Sequence, residues 1–164
     1  MIRGVHHVAI HTPDIDRLVA FYRDVVGFEV VESSRTEWDN NPYIDQIIGM
    51  KGTAAKCVMM RAANVYVEFF EYQRPDSRNS DRLLPSDHGY THICLDVDDC
   101  RAEYERLSKN GMTFHGPPVE VGPGHVTIYG RDPDGNLIEI QQLPTSQDMS
   151  VVHLKGYKLP QPAE

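Results

Sequence analysis

The sequence predicts an α+β fold made of two tandem βαβββ modules. Three observations carry this. Apolar and polar residues alternate over 5–12 and again over 90–97, as they do in half-buried strands. Each of these runs is followed by a helical apolar stripe that a glycine closes, Gly27 in one case and Gly111 in the other. Each helix then leads into further short strands, so strand-helix-strand-strand-strand occurs twice, the pattern of an internal duplication.

Taken in order, the first strand places His7, Ala9 and His11 on one face and His6, Val8 and Ile10 on the other. The 12–14 stretch, Thr-Pro-Asp, ends it and caps a helix over 15–26, whose stripe is Ile15, Leu18, Val19, Tyr22, Val25 and Val26. A strand is expected over 28–33, then a polar loop over 36–53. Two strands over 54–61 and 64–71 close the first module, and the last of them sets Tyr66, Glu68 and Phe70 on one face against Val65, Val67 and Phe69. A polar linker over 73–88 follows. Its Arg74, Arg78 and Arg82 read as a solvated face that could also meet an anionic group. The pattern restarts over 90–97, where His92, Cys94 and Asp96 face opposite to Ile93 and Leu95. Asp98 or Asp99 caps a helix running to Asn110, and short strands are expected near Thr113, near Val119 and over 126–129. Residues 132–136 read Asp-Pro-Asp-Gly-Asn, a strong turn signal. The last strand then sets Leu137, Glu139 and Gln141 against Ile138 and Ile140. One domain over 1–164 is expected, with modules 4–72 and 89–142 and a tail over 143–164.

The duplication fixes a correspondence. His7 and His92 stand 85 positions apart and Glu68 and Glu139 only 71, so the first module is longer by 14 residues, which the 36–53 loop must hold.

Composition excludes several classes. The 164-residue chain is 40% hydrophobic with net charge −8 and a pI near 5.4, which argues against a nucleic-acid or anionic-membrane partner. No apolar run reaches the roughly 18 residues of a membrane span. The strand pattern begins at once, so no leader is expected. Cys57, Cys94 and Cys100 show no framework spacing, which suggests reduced thiols and a cytoplasmic protein without a zinc–thiolate site.

Each module thus carries a His on its first strand and a Glu on its last, on the face opposite the helix-packing residues. A carboxylate such as Glu139 on a short apolar strand is costly to bury without a partner. If the helices cover the apolar face, His7, Glu68, His92 and Glu139 converge in the opposite concavity. Two imidazoles and two carboxylates suit Zn, Ni, Co, Mn or Fe(II). Four such donors leave an octahedral ion two positions for water or for neighbouring substrate oxygens.

Residues 4–10 (GVHHVAI), 16–30 (DRLVAFYRDVVGFEV), 66–72 (YVEFFEY), 91–99 (THICLDVDD) and 132–140 (DPDGNLIEI) resemble the vicinal oxygen chelate superfamily. Glyoxalase I, methylmalonyl-CoA epimerase, extradiol dioxygenases and fosfomycin-resistance proteins are among its members. The resemblance covers residues 4–142 and implies paired modules forming a cup-shaped, metal-holding sheet with His7, Glu68, His92 and Glu139 as ligands. Glu68 matches the glyoxalase I kind, where epimerase-like members carry Gln. The implied activity is that of a divalent-metal-dependent lyase, isomerase or epimerase that removes a proton next to a carbonyl. Glu139 is the favoured base and Glu68 its partner, though the two could exchange roles. An extradiol-type dioxygenase using Fe(II) and O2 would need Glu68 turned away. A metal-free binding or resistance protein would hold no ion at all. His11, Trp38, Tyr66, Phe70 and His125 are candidate substrate contacts, and the family resemblance implies a homodimer. No residue singles out glutathione or a coenzyme A thioester.

Overall fold

The computed structural model describes residues 1–77, 83–154 and 156. Linker positions 78–82, with Arg78 and Arg82, and tail positions 155 and 157–164 lie outside the described residues. The chain divides into two compact units, Met1–Ser80 and Asp81–Glu164.

In the first unit the alternating run becomes β1 (His7–His11). Asp14 caps α1 (Ile15–Phe21) by accepting the Arg17 N–H, and the Glu71 carboxylate accepts the Ile15 N–H at 2.9 Å. These bonds satisfy amide donors that a helix start leaves free. The expected helix over 15–26 is α-helical only to Phe21. Its last five residues, Tyr22–Val26, form a π-helical turn that Gly27 closes at φ +90°. There follow β2 (Glu29–Asp39), α2 (Pro42–Ile48), β3 (Ala54–Arg61) and β4 (Tyr66–Arg74). The sheet order is β1-β4-β3-β2, with β1 parallel to β4 and the other pairs antiparallel. Leu18, Val19 and Tyr22 cover one face, where Val58, Met60, Val67 and Phe69 are buried. The Tyr22 and Phe69 rings lie 5.0 Å apart. Burying each such side chain contributes roughly 1.5–3 kcal/mol. Residues 66, 68 and 70 therefore point away from the helix.

The expected loop over 36–53 is mostly regular. β2 runs on to Asp39, and α2 follows. Asn41 accepts the Tyr43 and Ile44 N–H groups, Pro42 opens the helix, and Gly49 closes it at φ +70°. This is a complete set of helix start and stop signals, and Ile44, Ile47 and Ile48 keep the i, i+3, i+4 spacing over only two turns. Asp45 ties the helix to the next strand by accepting the Gly52 and Thr53 N–H groups and the Thr53 hydroxyl.

The second unit contains β5 (His92–Asp96), α3 (Cys100–Lys109, capped by Asp99), β6 (Thr113–Phe114), β7 (Val119–Gly122), β8 (His125–Arg131) and β9 (Leu137–Gln142). A short 3-10 turn, Val151–His153, lies in the tail. The order is β5-β9-β8-β6, with β7 also on β8 and β5 parallel to β9. Cys100 and Leu107 of α3 and Ile138 and Ile140 of β9 are buried. Asp132 shapes the turn before β9 by accepting the Asp134 and Asn136 N–H groups at 2.9 Å.

The two units match in detail. In β2 the pairing to β3 is interrupted between Val31 and Thr36. In the second unit the same five-residue step separates Phe114 from Val119, both paired to β8. Ser34 bridges the first interruption, its hydroxyl donating to Val31 O and accepting from Met59 N. The second contains Pro117 and Pro118, which have no N–H to give, and the strand is split. Beyond this point, Asp39 to Ala54 in the first unit stands where the second has only the Pro123-Gly124 turn between Gly122 and His125. The extra length of the first module is α2 and its flanks. No helix of the described residues is long and apolar enough to cross a membrane.

Candidate metal and catalytic site

Parallel pairing sets the first half of the site. On β1 and β4, His7 is opposite Tyr66 and Ala9 opposite Glu68, so His7 and Glu68 lie diagonally on one face. His7 Nε2 stands 3.3 Å from Glu68 Oε2, with the side chains 40% and 19% exposed. Both are open enough to meet a ligand. Met59 of β3 pairs with Glu68, and Cys57 with Phe70. Burial, then the Glu68 charge, raises the Cys57 thiol and the Tyr72 phenol above their ordinary pKa values.

The second unit repeats this. His92 is opposite Leu137 and Cys94 opposite Glu139. His92 Nε2 stands 3.4 Å from Glu139 Oε2, with exposures of 30% and 15%. Polar neighbours on β8 make this half richer. The Thr127 hydroxyl donates to Glu139 Oε1 at 2.6 Å. The Tyr129 hydroxyl stands 3.4 Å from His92 Nε2, and burial followed by the Glu139 charge raises its pKa. Cys94 is pushed up to about 12, by burial first and then by Glu139. Thr127, Tyr129 and Tyr72 were not among the residues expected at the site. Alternation along β8 from His125 carries the first two onto the Glu139 face, and that was the available signal.

Two donors each about 2.0–2.2 Å from one ion lie roughly 2.8–3.6 Å apart between octahedral and tetrahedral angles. Both His–Glu separations fall in that range, so each pair fits as half of a metal site. Among the described residues no three His, Cys, Asp or Glu side chains converge to hold an ion.

The other candidates divide. Tyr66 and Phe70 share the Glu68 face, and His11 lies level with Phe70, its ring 5.8 Å from Tyr72. Trp38 is only 8% exposed. It packs with Ala55 and Cys57 under Ile44, Phe70 and Tyr72, and its indole N–H donates to Thr53 Oγ1 at 2.8 Å. It backs the aromatic row, and little of its surface is left for a ligand. His125 opens β8, on the face of Thr127 and Tyr129, and is not in a loop. His6 precedes β1. Its ring stacks on Tyr66 at 5.1 Å, contrary to the expectation that it would lie with Val8 and Ile10. Arg74 pairs with Asp39.

The sequence profile of the glyoxalase/bleomycin resistance protein/dioxygenase superfamily matches residues 4–140. The chain belongs to this superfamily. Among relatives of this glyoxalase-superfamily chain, a 2-epi-5-epi-valiolone epimerase from Actinomyces sp is 33% identical over 86% of this chain and 80% of its own length. A lactoylglutathione lyase from Salmonella typhimurium is 26% identical, over 82% and 88%. A glyoxalase family protein from Bacillus cereus superposes with a TM-score of 0.77 at 18% identity, covering 87% of this chain and 95% of its own. The α+β fold with two sheets is thus that of the superfamily.

Proposed function

We propose that this protein is a divalent-metal-dependent epimerase or isomerase that removes a proton from a carbon next to a carbonyl, with His7, Glu68, His92 and Glu139 as the metal donors. The observation that carries the reading is the recurrence of one His–Glu pair, at 3.3 and 3.4 Å, in the same strand register of both units. The orientation of Glu68 toward His7 supports four donors and speaks against the dioxygenase arrangement, in which Glu68 would turn away. A divalent ion bound there supplies a Lewis acid for the carbonyl.

In this reading Glu139 is the base. Thr127 holds one carboxylate oxygen, leaving the other toward His92. Glu68 has no second hydrogen bond among the described residues and is the freer carboxylate. Inverting a carbon requires the proton to leave one face and return to the other, and two glutamates supply the two groups. The 33% identical epimerase supports a polyhydroxylated cyclic ketone as substrate, and the lyase relative supports a thiol adduct of a dicarbonyl. We favour the cyclic ketone. Phe70, Tyr72 and His11 form an aromatic row beside Glu68 that would meet a ring's C–H face.

Elemental analysis of protein purified without chelator, with deuterium wash-in from solvent into a polyhydroxylated cyclohexanone, tests this. His7→Ala and His92→Ala are expected to lose stoichiometric metal, since removing one ligand costs several kcal/mol of a site whose total is about 10–16. Glu139→Gln is expected to keep some metal and to slow exchange by ~10²–10⁴-fold. Full metal content in both alanine variants would refute the donor assignment. Full exchange in Glu139→Gln would move the base to Glu68.

A further inference from the structure

The strand row just beyond the site glutamate differs in kind between the two units. In the first, His11 of β1 is level with Phe70 of β4, and Phe70 with Cys57 of β3. In the second, Asp96 of β5 is level with Gln141 of β9, and Gln141 with Thr127 of β8. These positions correspond one to one in the duplication. The helix contacts confirm both the match and the facing. Glu71 accepts the Ile15 N–H in the first unit, and its counterpart Gln142 accepts the Cys100 N–H at 3.2 Å in the second. Gln142 thus points to its helix, and Gln141 to the face of Glu139. A mostly aromatic row in one unit is a row of hydrogen-bonding groups in the other. Thr127 is engaged with Glu139, but the side chains of Asp96 and Gln141 make no hydrogen bond or ion pair among the described residues. Burial, then the Asp98 charge, raises the Asp96 carboxyl above its ordinary pKa, so this group lacks donors that would hold it as an anion.

We infer that Asp96 and Gln141 form a hydroxyl-binding subsite that takes a vicinal diol of the substrate and so decides which carbon beside the carbonyl meets Glu139. Each hydroxyl of a diol both donates and accepts. A carboxylate accepts, and an amide does both. The two residues stand on neighbouring strands ~4.8 Å apart, close enough to take adjacent hydroxyls of one ring. Their row lies two residues beyond Glu139, ~6.4–6.8 Å along the strand, about the span of a six-membered ring with its oxygens. A ring with its carbonyl at the row of Glu139 therefore lays a far-side diol on Asp96 and Gln141. Held at both ends, it cannot turn over to offer its other carbon. The orienting role rests on the cyclic-ketone reading given above, but the diol contact is open to test without turnover.

The test uses the ¹⁵N-labelled full chain. Titration with inositol, a cyclohexane ring that carries hydroxyls and no carbonyl, is expected to shift the Gln141 side-chain amide and the Asp96 backbone amide. Cyclohexanol, which has no diol, should shift neither. Asp96→Ala should weaken inositol binding by ~10–100-fold and Gln141→Leu by ~3–10-fold, the usual worth of a charged and a neutral hydrogen bond. Deuterium wash-in then reads the orientation. In a pentahydroxycyclohexanone the wild type should label one of the two carbons beside the carbonyl, and Gln141→Leu should label both. Exchange into 2-hydroxycyclohexanone, which lacks the far diol, should be the same in wild type and variant, a result that a misfolded variant would not give. No inositol shift at Asp96 or Gln141 in wild type would overturn the inference, as would single-carbon labelling in Gln141→Leu. If inositol binds as expected while the wild type exchanges neither ketone, the subsite stands and the proton-abstraction reading fails.

Discussion

The hydroxyls of Thr127 and Tyr129 distinguish the surroundings of Glu139 from those of Glu68. Thr127 donates to Glu139 at 2.6 Å, and the equivalent position in the first unit is Cys57, a thiol raised by burial and by Glu68. A hydrogen bond to a charged group is worth roughly 1.5–3 kcal/mol. Part of that here goes into holding one carboxylate rotamer. Thr127→Val keeps the side-chain shape and removes the donor. We expect metal content to be unchanged and solvent-proton exchange to fall by about tenfold or more, the rate equivalent of about 1.4 kcal/mol. Deuterium wash-in measures it, and wild-type exchange in this variant would make Thr127 merely structural. At this scale the sequence was half legible. His7, Glu68, His92 and Glu139 could be named because they recur at matched positions. Thr127 and Tyr129 could not, because their matches, Cys57 and Met59, share no chemistry with them. Trp38 was read as a candidate substrate contact, because the burial of its indole depends on a helix the sequence reading took for a loop.

Among the elements, α2 is the piece without a counterpart. It stands in place of a two-residue turn and lays Ile44 on the cluster of Trp38, Ala55 and Cys57, against which Phe70 and Tyr72 of the row next to Glu68 also pack. Replacing residues 40–53 by Pro-Gly would give the first unit the hairpin of the second. The expected outcome is retained metal with lost turnover, read by elemental analysis and by exchange on the substrate. Full turnover would leave α2 without a role in the site. Asp45 anchors this element. Its carboxyl is held below its ordinary pKa, chiefly by the Thr53 hydroxyl and then by the Gly52 and Thr53 amides. The folded state therefore favours the anion, so the stability it adds is present above the ordinary value near 3.8 and is lost as pH falls through the lower folded value. Asp45→Ala should melt lower than wild type at pH 7, and the gap should narrow as pH falls below 3.8, as thermal scans at pH 7 and through the acid range would show. Most strands were legible because alternation needs only four or five residues. The helix at 42–48 was not: Ile44, Ile47 and Ile48 carry its period for only two turns, and its caps, Asn41 and Gly49, look like loop residues.

For the whole molecule, duplication is the organising fact, and the register makes it concrete: parallel β1–β4 and β5–β9 pairs, the same five-residue interruption, the same diagonal His–Glu pair. We propose a homodimer as the assembly. Light scattering should give twice the 18.6 kDa chain mass, and a monomer that turns over substrate would refute it. The seams that carry the His–Glu pairs also govern how each sheet comes apart. β1 and β5 are five residues long and each ends its strand order, with β4 or β9 as its one neighbour. Such strands open in small fluctuations far short of global unfolding. An ion gripped by His7 and Glu68 would therefore act as a rivet across the weakest line of the sheet. It would slow amide exchange in β1 by the factor 1 + [L]/Kd that binding to the closed form alone imposes. Activity and local rigidity would then rise and fall together with metal supply.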